Sequence, residues 1–127
     1  MKIEHMALYV ADLEAERHFF EKYFGATANQ KYRNPKTGLE TYFLTFDGEA
    51  RLEIMSRPGL HDNPKEIMQH GFIHLALRVG SRESVDHLSR MLQDDGYVVV
   101  SGPRTTGDGY YESCILDPEQ NQIEIVA

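Results

Sequence analysis

The chain has 127 residues and a formal net charge of −7, and 41% of its residues are hydrophobic. This length suits one domain, which we expect to span residues 1–127. The negative charge argues against a surface that follows phosphates, so we expect no nucleic-acid partner. The charges within residues 1–5 argue against a signal peptide, and no apolar run approaches the ~18 residues of a membrane span. We therefore expect a cytoplasmic protein without a membrane partner.

The first predicted element is a β-strand at residues 3–10, where apolar side chains alternate with others. The period of two places the apolar residues on one face. The opposite face carries His5, Ala7 and Tyr9. A polar residue on one face of a strand usually points to water, so His5 alone indicates little.

A helical pattern follows this strand. Asp12 is its predicted N-cap and Gly25 its predicted end, with an aromatic stripe between them that predicts the buried face. The rest of the first half is predicted to form a turn at residues 34–38, a strand at 42–46, a turn at Asp47 and Gly48, and a strand at 51–55. This last strand places Glu53 between two apolar neighbours.

Residues 58–69 are rich in turn-forming residues and are predicted to be a connector. The chain then repeats its first half. Residues 72–79 resemble residues 3–10 at an offset of 69, which places His74 where the first half has His5.

The remaining elements of the second half follow the same order. Ser81 and Gly96 bound the second predicted helix, and residues 107–109 are a predicted turn. Predicted strands at residues 113–116 and 122–126 flank a turn at Asp117 and Pro118, and the last strand places Glu124 where the first half has Glu53. The repeat predicts an α+β protein of two tandem βαβββ modules, about residues 1–57 and 70–127, forming a curved mixed sheet around a metal-binding cleft.

The repeated histidines and glutamates predict one metal site. If two curved sheets join about a pseudo-twofold axis, then His5, Glu53, His74 and Glu124 converge. Two imidazoles and two carboxylates suit Ni²⁺, Co²⁺, Zn²⁺ or Mn²⁺, with Fe²⁺ as a further candidate. The alternative is that these residues form the wet faces of two sheets and that an old duplication left symmetry without a metal. Recurrence of both residue types in one register favours the metal.

These residues also carry a family resemblance. The segments His5-x-Ala7-Leu8-x-Val10, Leu52-Glu53-Ile54, His74-Leu75-Ala76-Leu77 and Asp117-Pro118-(x)3-Gln122-Ile123-Glu124, with Gly25 after the first helix, resemble the vicinal oxygen chelate superfamily. That group includes glyoxalase I, methylmalonyl-CoA epimerase, fosfomycin-resistance enzymes, extradiol dioxygenases and bleomycin-binding proteins. A ligand set of His, Glu, His and Glu is most similar to that of bacterial glyoxalase I.

The resemblance implies a lyase or isomerase that moves a proton through a metal-bound enediolate, with the hemithioacetal of methylglyoxal and a thiol as candidate substrate. Glu124 would be the principal base and Glu53 its partner. The alternatives are a metal-dependent epimerase, a thiol-transfer resistance enzyme, and a non-catalytic protein that binds a drug or metabolite. The resemblance also implies a homodimer.

The sequence departs from bacterial glyoxalase I at Tyr9, where those enzymes have an arginine that helps to hold the glutathione carboxylate. Arg78 stands at the repeat-equivalent position, and Arg57 and Arg104 are predicted to flank the cleft. These four residues are candidates for binding a small-molecule substrate; the three arginines are equally compatible with solvated surface charges. The only cysteine, Cys114, excludes an intrachain disulfide and is predicted to be a buried thiol.

Overall fold

The computed structural model describes residues 1–62, 65, 68 and 70–127. The chain divides into two compact units, Met1–Asn63 and Pro64–Ala127. In the described residues each unit has one helix and one mixed β-sheet, which confirms the predicted α+β class and the two repeated modules. The predicted connector at residues 58–69 lies partly outside the described residues. No helix in the described part of the chain is long and apolar enough to cross a membrane.

The first unit has β1 and β5 side by side. These first and last strands pair in parallel, whereas β4 pairs antiparallel with β5 and with the short strands β2 and β3. The elements are β1 (His5–Tyr9), α1 (Leu13–Phe24), β2 (Thr27–Ala28), β3 (Tyr32–Arg33), β4 (Glu40–Thr45) and β5 (Arg51–Ser56). The parallel pairing brings residues from opposite ends of the unit together.

Local signals fix the position of α1. The side chain of Asp12 accepts hydrogen bonds from the backbone N–H groups of Glu14 and Ala15, as expected of an N-cap. Gly25 ends the helix in the left-handed conformation, with φ of 63°. The helix packs against β4 and β5. Its buried stripe and the facing strand residues form the core of this unit, which includes Phe19, Phe20, Tyr23, Leu44, Leu52 and Ile54.

The second unit repeats this topology. Its sheet has the order β6-β9-β8-β7, in which β6 and β9 are parallel and the other pairs antiparallel. The elements are β6 (His74–Arg78), α2 (Arg82–Asp94), β7 (Val99–Thr105), β8 (Tyr111–Leu116) and β9 (Gln122–Val126). As predicted, Ser81 caps α2 by accepting from the N–H of Ser84. The helix packs against β7, β8 and β9 over a core that includes Val85, Leu92, Ile115, Ile123 and Ile125.

Several strand limits differ from the predicted ones. The first strand is shorter than predicted, and β8 begins two residues earlier, at Tyr111. The cause at β8 is the hairpin with β7, in which Thr105 pairs with Tyr111 across the predicted turn at residues 107–109. Long-range pairing extends the strand beyond the apolar run that the sequence shows.

A bulge interrupts the ladder between β7 and β8. The register shifts between Ser101 and Arg104, and Gly102 lies between them with φ of 82°. A Cβ at Gly102 would lie 2.5 Å from the carbonyl oxygen of Glu112, so only glycine fits this close approach. The bulge therefore lies directly beside the backbone of Glu112.

Candidate metal centre

The register of β1 on β5 creates a histidine–glutamate pair in the first unit. Ala7 lies opposite Glu53, so His5, two residues before Ala7, is a diagonal neighbour of Glu53 on the same face. This face is turned away from α1. Leu52 and Ile54, which flank Glu53 on β5, point to the opposite face and are buried in the core that α1 covers. Nε2 of His5 lies 3.8 Å from Oε2 of Glu53.

The second unit contains an equivalent pair. Ala76 lies opposite Glu124 in the pairing of β6 with β9, and His74 is again the diagonal neighbour. Nε2 of His74 lies 3.2 Å from Oε2 of Glu124. The His74 side chain is 34% exposed and that of Glu124 is 21% exposed, so the glutamate is the better shielded member of the pair.

The residue opposite each glutamate is an alanine. Ala7 faces Glu53, and Ala76 faces Glu124. An alanine has no side-chain atoms beyond Cβ, so the longer glutamate can lie across it toward the histidine. The His-x-Ala spacing that the two modules share thus places a small residue opposite each glutamate.

Three further residues surround His5. Nδ1 of His5 is hydrogen-bonded to Oε2 of Glu4, and Nη2 of Arg51 donates to Oε1 of the same carboxylate. The hydrogen bonds from His5 and from Arg51 lower the pKa of Glu4. The ring of Phe43 meets the His5 ring edge-on at a centroid distance of 5.4 Å, and the Arg51 guanidinium lies 4.2 Å from the Phe43 centroid.

A cavity of about 590 Å³ opens beside the second pair. We call it the His74 cavity. Its floor is the face of β6 and β9 that carries the pair, and its rim includes the turn after β7. The lining residues are His74, Ala76, Arg78, Thr106, Asp108, Tyr110, Glu112, Glu124 and Val126. A volume of this size accommodates a small organic molecule.

The turn at the rim is held by its own hydrogen bonds. Thr106 Oγ1 donates to Oδ1 of Asp108 at 2.5 Å, and the N–H of Gly109 donates to the carbonyl of Thr106 at 3.0 Å. Tyr110 projects into the cavity, whereas the hydroxyl of Tyr111 donates to Asp86 of α2 at 2.6 Å. The two adjacent tyrosines thus point to opposite faces of the sheet, and Tyr110 is the one that lines the His74 cavity.

The four candidate substrate-binding residues differ in their surroundings. Arg78 lines the His74 cavity and donates through Nη1 to the carbonyl of Ala127. Arg104 lies 3.9 Å from Oε1 of Glu112, which lines the same cavity. Tyr9 shares the face of β1 that carries His5, and Arg57 is exposed directly after β5.

The single cysteine is not an activated thiol. Cys114 is buried on β8 opposite Glu124. Burial raises the pKa of its thiol, and the carboxylates of Glu124 and Glu112 raise that pKa further. A raised pKa keeps the sulfur protonated at neutral pH, which makes it a poor nucleophile and a poor metal ligand.

Comparison with known proteins identifies the family. Residues 2–125 match the model of the Glyoxalase/Bleomycin resistance protein/Dioxygenase superfamily. The chain belongs to this superfamily. It is 31% identical to the uncharacterized protein YqjT of Bacillus subtilis, over 98% of each chain. This match confirms the resemblance inferred from the repeated motifs.

Solved structures of superfamily members share the fold. A possible glyoxalase from Bacillus cereus is 25% identical with a TM-score of 0.72, and the match covers 100% of this chain and 99% of that one. The trypanothione-dependent glyoxalase I of Leishmania major is 19% identical with a TM-score of 0.79, over 99% of this chain and 86% of that one. At this identity the second likeness concerns the fold alone.

Members of the superfamily usually bind a divalent metal, and the donor set here fits one. Metal–nitrogen and metal–oxygen bonds of ~2.1 Å place two ligands of a tetrahedral or octahedral ion about 3.0–3.4 Å apart. The 3.2 Å separation of His74 and Glu124 lies in this range, and the 3.8 Å separation of His5 and Glu53 is slightly wider. Within the part of the chain that the structure describes, no three potential ligands form one cluster. The four-residue site therefore stays a prediction.

Sequence reasoning missed two groups of residues. The first is Glu4 and Arg51, whose ion pair depends on the register of β1 on β5. The second is Glu112 and Asp108, which reach the His74 cavity from β8 and from the turn before it. A signal for Glu112 was present: in a strand of period two it shares a face with Cys114, opposite the apolar Ile115.

Proposed function

We propose that the protein is a metal-dependent lyase or isomerase of the glyoxalase I type, in which His5, Glu53, His74 and Glu124 hold one divalent ion. The observation that carries this proposal is the repetition of the same pair. In each unit Nε2 of the histidine faces a carboxylate oxygen of the glutamate, and the two residues come from the first and last strands of that unit in the same register. Solvated surface residues have no physical reason to repeat this register.

The proposed substrate class is an α-hydroxy carbonyl compound, such as the hemithioacetal of methylglyoxal and a thiol. A divalent ion would supply Lewis acidity that polarises the carbonyl and hydroxyl oxygens and acidifies the C–H bond between them. Glu124 takes that proton and returns it to the neighbouring carbon, so that the reaction passes through an enediolate. Glu53 is the second carboxylate available for this transfer.

The surroundings of Glu124 support its role as the base. Its carboxylate is half-buried and lines the His74 cavity, where Ala76 and Val126 provide an apolar floor. Arg78 in the same cavity has N–H groups beyond the one bound to the Ala127 carbonyl, and we propose that they bind an anionic group of the substrate. Tyr9, Arg57 and Arg104 are secondary candidates for this binding.

The test is reconstitution of the metal-free protein. The chelator-treated protein is supplied with Ni²⁺, Co²⁺, Zn²⁺ or Mn²⁺, and formation of S-lactoylglutathione from methylglyoxal and glutathione is followed. We expect near-stoichiometric binding of one metal per chain and metal-dependent turnover. Binding without turnover would move the search to other thiols and to racemisable acyl thioesters, as for an epimerase. Failure to bind any of these metals would leave a ligand-binding protein as the better account.

The proposal includes a homodimer, which the family resemblance implies. Light scattering coupled to gel filtration measures the mass in solution. If the protein is dimeric, mixing inactive His5→Ala and His74→Ala chains under exchanging conditions tells whether the ligands come from one chain or from two. Recovery of activity on mixing requires ligands from two chains, because only a mixed dimer then regains one intact set.

A further inference from the structure

Two contacts hold the His5 ring. Its Nδ1 is hydrogen-bonded to the carboxylate of Glu4, and the ring makes a T-shaped contact with Phe43. Glu4 itself is fixed by Arg51, which donates to it from the side chain and also from the backbone N–H, at 3.0 Å from the Glu4 carbonyl. The Arg51 guanidinium in turn stacks on Phe43. These residues form one connected support around His5.

This support has a chemical consequence for the imidazole. An ionised carboxylate only accepts hydrogen bonds, so the shared proton belongs to Nδ1 of His5. In the neutral ring, Nε2 then carries the lone pair, and Nε2 is the atom that faces Glu53. A free histidine favours the opposite tautomer, with the proton on Nε2. A carboxylate at Nδ1 also makes Nε2 a better electron donor.

Among the residues that the structure describes, the second unit has no equivalent support for His74. The residue before His74 is Ile73, which has no side-chain hydrogen-bonding group. The strand partner of His74 is Gln122, where His5 has Arg51. The residue opposite Glu124 on β8 is Cys114, where the first unit has Phe43 opposite Glu53. The module repeats the histidine–glutamate pair but not the residues around the histidine.

We propose that Glu4, held in place by Arg51, is a positioning residue that presets His5 as a metal ligand and makes it the tighter of the two histidines. This inference rests on the proposed metal site, yet its first consequence exists without metal. Glu4 fixes the tautomer of His5 in the metal-free protein, so metal binding requires no change of tautomer at His5. At His74 the shift to the ligating tautomer costs free energy when the ion binds.

The first test measures tautomers in the metal-free protein. Two-bond ¹H–¹⁵N correlation spectra distinguish a ring protonated at Nδ1 from one protonated at Nε2. At a pH where both rings are neutral, we expect His5 to carry its proton on Nδ1 and His74 to favour Nε2. Glu4→Ala should move the His5 proton to Nε2 and leave His74 unchanged. A wild-type His5 protonated at Nε2, or one indifferent to Glu4→Ala, overturns the proposal.

The second test measures metal affinity by competition with a chelator. We expect Glu4→Ala to weaken binding about 10–100-fold. Glu4→Gln should recover part of this loss, because its amide oxygen still accepts from Nδ1, and Arg51→Met should give an intermediate loss. The matched control is Glu49→Ala, which removes another exposed carboxylate of the first unit, paired only with Lys2 among the interactions described. Circular dichroism verifies that each variant is folded.

The outcomes separate this inference from the proposed function. If the wild-type protein binds no metal, the proposed metal site is wrong, whatever the tautomer of His5. If the wild type and Glu4→Ala bind metal equally well and both are folded, the positioning role of Glu4 is wrong and the proposed metal site is retained. Loss of affinity in Glu49→Ala equal to that in Glu4→Ala would show a general charge effect and would also overturn the positioning role.

Discussion

Nε2 of His74 lies 3.2 Å from Oε2 of Glu124, and the two atoms come from the first and last strands of one unit. The approach depends on parallel pairing of β6 with β9, which sets Ala76 opposite Glu124. In a register shifted by one residue, Glu124 would point toward α2 and the pair would not exist. The His74–Glu124 pair therefore depends on the exact register of β6 and β9.

Replacing Glu124 by glutamine removes the proposed base while it preserves the size of the side chain. We expect kcat for lactoylglutathione formation to fall about 10²–10⁴-fold, because an amide cannot accept the transferred proton. Steady-state kinetics and metal analysis are the measurements. Glu83→Gln, an exposed change in the first turn of α2, is the control. Normal turnover in Glu124→Gln would assign the proton transfer to another group.

Enlarging Ala76 tests whether the space opposite Glu124 is needed. We expect Ala76→Leu to weaken metal binding at least about 10-fold, because the added atoms occupy the region that Glu124 crosses to approach His74. Since residue 76 is exposed, the free energy of unfolding should change by less than ~1 kcal/mol. Chelator competition and urea unfolding give the two quantities. The same replacement at exposed Ala15 should leave metal binding unchanged, and equal losses at both positions would contradict the explanation.

The close approach of β7 to β8 predicts that replacing Gly102 by alanine destabilises the protein much more than the same replacement at Gly107. Gly102→Ala should destabilise the protein by on the order of 2–4 kcal/mol, because its Cβ would meet the Glu112 carbonyl and its φ is positive. Gly107→Ala, where a Cβ meets nothing within 4 Å, should change stability by under about 1 kcal/mol. Urea unfolding of both variants checks this. Equal stabilities would mean that the bulge relaxes without cost.

The raised pKa of Tyr42 predicts part of the loss of stability at alkaline pH. Burial raises the pKa of its phenol, and its hydrogen bond to Glu14, at 3.1 Å, raises that pKa further. The folded state therefore holds the proton more tightly than the unfolded chain, whose tyrosine pKa is ~10. The contribution of this pKa difference to the free energy of unfolding is fully present below pH ~10. It is lost as the pH rises through the folded-state pKa.

Tyr42→Phe should therefore lose less stability than the wild type between neutral pH and about pH 11. Urea unfolding of both proteins over this range gives the two slopes. Tyr97→Phe serves as a second tyrosine variant, since Tyr97 is less buried than Tyr42. Parallel curves for wild type and Tyr42→Phe would show that another group causes the alkaline loss.

Local patterns predicted the parts of the fold that depend on local physics. The cap at Asp12, the end of α1 at Gly25 and the alternating faces of β1 follow from backbone geometry over a few residues, and all three are confirmed. The repeat added the equivalence of His5 with His74. The support of His5 by Glu4 could not be predicted in the same way, because Arg51 reaches Glu4 only after β1 and β5 have paired.

The His74 cavity shows the same limit. Tyr110 and Tyr111 are adjacent and chemically identical, and the sequence could not decide which of them faces a ligand. The pairing of Thr105 with Tyr111 decides it, since it directs Tyr111 toward Asp86 of α2. Glu112 was overlooked because a carboxylate in a strand usually faces solvent. Its place in a cavity depends on the turn after β7, which contributes Thr106 and Asp108 to the same lining.

The pairing of first with last strand also has a consequence for synthesis. While the chain emerges from the ribosome, His5 has no glutamate partner until residue 53 has been made and β5 has docked beside β1. The pair of the first unit can then be complete while β9 and Glu124 have yet to be translated. A nascent chain would thus form the His5–Glu53 pair before the His74–Glu124 pair.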